Sequence, residues 1–75
     1  MDRDLILAKI IKKEKTNKTI EKLTKKYPVK VIDDKKEYYL LEICSGRHQE
    51  EEILKELENL EVQELVRTGK IAISR

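Results

Sequence analysis

Cys44 and His48 stand four residues apart, with Glu51 and Glu52 shortly after them, and thiolate, imidazole and carboxylate are all zinc donors. One continuous helix would be needed to bring the Cys and His onto one face, whereas Ser45-Gly46 sets a turn between them. Cys44 therefore reads as a small strand residue and His48 as a surface residue of a first helical turn, and no metal site is expected. Covalent or acid–base catalysis needs a nucleophile, a base within reach and a third group to orient it. A single cysteine and a single histidine are a poor inventory for that. Glu50, Glu51 and Glu52 are consecutive, so on a helix they splay around the axis instead of facing each other across a cleft. Gly46 and Gly69 lie too far apart for a dinucleotide fingerprint or a phosphate loop. No catalytic residue and no cofactor are expected.

Lys12, Lys13, Lys15, Lys18, Lys22, Lys25 and Lys26 form a basic cluster, and Tyr27, Tyr38 and Tyr39 supply rings that stack on bases in RNA-binding sheets. The tyrosines lack the spaced pattern of such a sheet, Arg is scarce, and the second half of the chain is acidic enough to repel phosphate. Residues 1–36 carry 12 Lys/Arg against 6 Asp/Glu, a net +6; residues 37–75 carry 5 against 9, a net −4. The two halves cancel to +2 overall, so the whole-molecule field is weak while a local dipole remains. Nucleic acid is not the expected partner. One cysteine cannot close an internal disulfide, and neither a secretory signal nor an apolar run of membrane-spanning length is present. The expected location is cytoplasmic, with no membrane partner.

The elements that would carry these residues can be read from periodicity. Asp4–Ile11 is short, β-branched and apolar on both parities, as in a strand buried on two faces. Thr16 or Asn17 caps a helix whose apolar stripe is Ile20, Leu23 and Tyr27, and Pro28 ends it. Residues 29–33 and 37–44 read as two strands joined by a polar turn, hence an antiparallel hairpin. A second helix follows from Arg47, with Ile53, Leu54, Leu57 and Leu60 on its apolar face and Asn59 closing it in a left-handed conformation. Residues 61–67 fit a helical face and a strand about equally. Thr68-Gly69 then reads as a turn and Lys70–Ile73 as a terminal strand, which favours an extended segment before the turn. The order strand, helix, strand, strand, helix, strand predicts an α+β fold: a ferredoxin-like βαββαβ sandwich, with a four-stranded antiparallel sheet and two helices on one face. Nothing would cover the other face. Strands with aliphatic residues on both parities then leave an exposed apolar patch, so a homodimer or higher homo-oligomer is expected, through the sheet or its edge.

The closing stretch Val62–Arg75, and above all Arg67-Thr68-Gly69-Lys70-Ile71-Ala72, resembles the end of the small, regulatory subunit of acetolactate synthase. Asp4–Ile10, Val29–Asp33 and Leu41-Glu42-Ile43 followed by Gly46 fall in that family's order with similar spacing, so the resemblance spans nearly the whole chain. It implies the C-terminal domain of that subunit, residues 1–75 forming a single domain without the amino-terminal ACT domain that holds the family's effector site. It also implies a non-catalytic role in branched-chain amino acid biosynthesis, with the thiamine-diphosphate-dependent large subunit as partner. No catalytic or ligand residue carries over. Two departures stand out: Asn59-Leu60-Glu61 replaces a Pro-Tyr-Gly-like connection, and Arg47 follows Gly46 where Thr or Asp is usual. The one site expectation is that Arg67, Thr68, Gly69 and Lys70 form a structured turn important for packing or assembly. Two further readings stay open, a stand-alone ACT-like sensor of a small ligand or metal, and an RNA-binding sheet.

Overall fold

Alternating burial along Asp4–Ile11 makes β1: Ile6, Ala8 and Ile10 are fully buried, and the residues between them are half-buried on the opposite face. The computed structural model describes residues 4–70. After β1 come α1 (Thr16–Lys26), β2 (Val29–Asp34), β3 (Tyr38–Ser45), α2 (Arg47–Leu57) and β4 (Glu61–Lys70). The sheet runs β2-β3-β1-β4 with every neighbouring pair antiparallel, the ferredoxin-like arrangement expected from the order of elements. Both helices pack on the side of the sheet that carries Ile6, Ala8, Ile10, Leu41 and Ile43, and they close the core with Ile20, Leu23, Tyr27, Ile53 and Leu57.

Local chemistry sets the element ends. Thr16 begins α1 without capping it, since Lys15 holds the cap position. The Thr16 hydroxyl instead accepts the Lys13 N–H at 2.8 Å and lies buried, fixing the β1–α1 connection. Tyr27 turns extended immediately before Pro28, as proline requires of its predecessor, while its N–H still donates to the Leu23 carbonyl at 2.9 Å. Lys25 and Lys26 sit in the last turn, where the helix dipole favours cations. The first turn of α2 closes through the Glu50 N–H donating to the Gly46 carbonyl at 3.0 Å, with no side-chain cap. A Cβ at Gly46 would meet nothing within 4 Å. Gly46→Ser should therefore add a capping oxygen at no steric cost, a gain of a few tenths of a kcal/mol, read as a thermal midpoint raised by roughly 1–3 °C. An unchanged or lowered midpoint would show that this cap position gains nothing from a hydroxyl. At the other end, Glu58 stays in the right-handed region, and the N–H groups of Asn59 and Leu60 donate to the Glu56 and Leu57 carbonyls, so the last turn tightens as the helix stops.

The carboxyl-terminal part differs from the sequence reading. Arg67, Thr68, Gly69 and Lys70 do not make a turn: β4 runs unbroken from Glu61 to Lys70 along β1. Ile6 faces Arg67 and Asp4 faces Lys70, so Thr68 and Gly69 together oppose the single residue Leu5, a β-bulge. Glycine is common to turns and bulges, and here the sheet neighbour β1 decides between them. A second bulge at Gln63 separates the Lys9–Glu64 and Ile10–Val62 pairs, and a third at Ile32 separates Val31–Leu41 from Asp33–Leu40 on β2. Both edge strands of the sheet are thus bulged, an arrangement that discourages edge-to-edge pairing. The expected terminal strand at residues 70–73 lies largely outside the described residues.

Candidate functional site

Directly opposed residues of an antiparallel pair share a face, so the register fixes what the uncovered side of the sheet presents. Leu7, Lys9 and Ile11 of β1 stand opposite Glu42, Leu40 and Tyr38 of β3, and Leu5 stands opposite Cys44. All eight are half-buried with no helix over them. Val66 extends the layer on β4 beside Leu7, and Ile32 extends it on β2; they are 47% and 45% exposed. Within this layer Lys9 faces Glu64 and Glu42 faces Lys30, opposite in sign across the strands, while Asp33 opposite Leu40 and Glu61 opposite Ile11 add carboxylates on the edge strands. The Lys9 ammonium lies 4.4 Å from the centre of the Tyr38 ring, so its stem covers the aromatic surface beside it. The result is an aliphatic layer presented by the two central strands, with its surplus carboxylates on the edge strands.

A polar cluster lies at one end of the other face. Arg67 faces Ile6 and so points to the helix side, where its guanidinium meets the Glu50 carboxylate at 2.5 Å. Glu51 and Glu52 splay out to solvent, but Glu50 is buried, because its spacing to Ile53 and Leu57 puts it on the apolar stripe of α2. That spacing was the available signal. Among the described residues, Glu50 Oε2 and Ser45 Oγ are buried without a hydrogen-bond partner. Burial raises the Glu50 carboxyl above its ordinary 4.5; the neighbouring Asp4 side chain raises it further, and Arg67 opposes both. Two carboxyl groups share a hydrogen bond only when one is protonated, which is why Asp4 favours the neutral form. A raised folded-state value means the stabilising contribution is present below about pH 4.5 and is lost as pH rises through the folded value. The wild type should accordingly lose stability relative to Glu50→Gln between mildly acid and neutral pH, as read from urea midpoints. Parallel pH profiles would contradict the assignment.

The remaining sequence candidates are dispersed. Cys44 belongs to the uncovered face, whereas His48 is exposed on α2 over the opposite one, and no group of three His, Cys, Asp or Glu among the described residues could hold a metal ion. Much of the lysine cluster has acidic or aromatic neighbours: Lys12 pairs with Asp34 and lies over Tyr39, Lys13 meets Glu61 at 2.8 Å, and Lys22 approaches Glu56 at 3.8 Å. The tyrosines do not share a platform. Tyr27 is buried under the helices, Tyr39 donates its hydroxyl to Asn17 on the helix side, and Tyr38 is on the uncovered side. Among the described residues, no helix is long and apolar enough to cross a membrane.

The chain is thus a βαββαβ sandwich with one sheet face covered by helices and one aliphatic face uncovered. The sequence profile of the family described as the small subunit of acetolactate synthase, in its C-terminal domain, matches residues 3–75. The chain belongs to that family, whose role in acetolactate synthase is regulatory and whose partner is the catalytic large subunit. No curated protein matches the chain.

Proposed function

We propose that this chain is a non-catalytic assembly module of acetolactate synthase that self-associates through the uncovered face of its sheet and so supports the large subunit. Supporting this is the aliphatic layer on β1 and β3, which no helix covers and whose two charged residues, Lys9 and Glu42, each face an opposite charge on an edge strand. Four strands about 4.8 Å apart and about eight residues long project roughly 500 Å² before side-chain relief is counted. That is of the order of the ~800 Å² per partner in a standard interface. The bulged edges leave the face as the better surface for a second copy. The Arg67–Lys70 segment serves this role indirectly: Arg67 ties β4 to α2 through Glu50, holding Val66 in the layer beside Leu7. Where ACT domains are attached, the paired modules hold them near the large subunit.

Reconstitution tests the supporting role. Acetolactate formation by the cognate large subunit should rise on adding the wild-type chain, and should rise less with Leu7→Lys, which places a charge in the aliphatic layer. An unchanged rate with the wild type would remove the supporting role, whatever its oligomeric state.

A further inference from the structure

Where β1 starts and β3 stops, polar side chains gather in a buried corner of the helix side. Asp4 stands opposite Ser45, and α2 begins two residues later, so Glu50 in its first turn comes to lie beside both Asp4 and Arg67. Glu50 is 5% exposed and Ser45 1%. The Glu50 Oε1 atom takes the Arg67 guanidinium, while Oε2 and the Ser45 hydroxyl have no hydrogen-bond partner. An orphaned carboxylate oxygen in the interior is costly, and a proton satisfies it by turning it into a donor. The charged groups that act on Glu50 are Asp4 from β1, Arg67 from β4 and Arg47 from its own helix; Lys70 stands opposite Asp4 in the strand register, and β3 supplies the uncharged Ser45.

We infer that Glu50 is a proton-operated clasp between α2 and β4, closed when its carboxylate holds Arg67 and opened when the carboxyl takes a proton from solvent and shares it with Asp4. The two states differ in partner. Ionised, Glu50 ties the outer part of β4 to α2 through the guanidinium and leaves Oε2 orphaned. Protonated, it gains an O–H to donate, the ion pair loses its negative member, and the half-exposed Arg67 is free to turn to water. β4 is poised for that loss, because it is an edge strand with β1 as its single neighbour, and the bulges at Gln63 and Thr68-Gly69 leave only residues 64–67 in regular register. Burial and Asp4 both favour the protonated carboxyl, so the clasp opens at higher pH than an ordinary glutamate would allow. Val66, next to Arg67, belongs to the layer proposed to pair two copies, so acid also loosens one margin of that layer; only this consequence rests on the proposed function.

Amide hydrogen exchange, read by NMR from mildly acid to neutral pH, tests it, with the β3 amides reporting opening of the whole domain. Protection of the β4 amides bonded to β1 within residues 64–67, taken relative to β3, should fall about three- to fivefold on acidification, as loss of a half-exposed ion pair allows. The fall should track the titration of the Glu50 carboxyl carbon. Glu50→Gln keeps the shape but cannot ionise, so it should hold the low β4 ratio at every pH even while its β3 protection near neutrality exceeds that of the wild type. A merely structural contact would lose both together. Asp4→Asn should move the wild-type transition to lower pH. A wild-type ratio that does not change with pH, a Glu50→Gln ratio equal to that of the neutral wild type, or a transition unmoved by Asp4→Asn would overturn the inference. If the ratio behaves as expected while the chain sediments singly at every pH, the clasp stands and the self-association reading falls.

Discussion

Ile43→Ala is expected to leave much of the population unfolded at room temperature. Ile43 lies on β3 at the centre of the sheet, opposite Ile6 on one side and Val29 on the other, and none of its surface reaches solvent. Truncating such a side chain removes its transfer free energy and leaves a cavity that neighbours fill only in part, costing about 2–5 kcal/mol. A domain below about 80 residues rarely has more than about 3–5 kcal/mol in total. The single change therefore removes most of the margin. Far-UV circular dichroism in a urea series should show the midpoint moved to very low denaturant. Leu40→Ala, three residues earlier on the uncovered face, should cost far less in the monomer, since that side chain is only half-buried and leaves no closed cavity. Equal costs at the two positions would mean that the two sides of the sheet are not distinguished as described.

The second large effect concerns Leu7→Lys. Leu7 lies near the middle of the uncovered layer, between Glu42 on β3 and Val66 on β4. In a single chain the substitution is mild, because the new ammonium emerges beside the Glu42 carboxylate and its stem still covers the sheet. Across a two-fold interface the same change occurs twice. Each copy loses about 1.5–3 kcal/mol of apolar burial, or about 3–6 kcal/mol per dimer, which weakens association by roughly two to four powers of ten. Desolvating two ammonium groups adds to that cost. The expected outcome is a folded monomer with an unfolding midpoint close to that of Leu40→Ala, where the wild type is a dimer at the same concentration.

The order of the six elements was legible from residue spacing, for reasons that are local. The bounds of β1 followed from its β-branched run, the end of α1 from Pro28, and the hairpin from the polar turn between two aliphatic segments. β4 was harder because its bulge at Gln63 breaks the two-residue period: Val62 and Leu65, three apart, fall on the same side of the sheet and imitate a helical face. Thr68-Gly69 misled for a related reason, since glycine marks a turn and a bulge alike and only pairing with β1 separates the two. The uncovered layer was visible as aliphatic residues on both parities of β1. The Glu50–Arg67 pair was not, because it joins residues seventeen positions apart through the tertiary packing of α2 on β4.

Sedimentation of the unmodified chain across the micromolar range tests most directly whether the uncovered face is an interface between copies. The expected result is a concentration-dependent species of twice the 8.9 kDa chain mass that Leu7→Lys reduces to one chain. A single 8.9 kDa species at every concentration, or a dimer indifferent to Leu7→Lys, would contradict it.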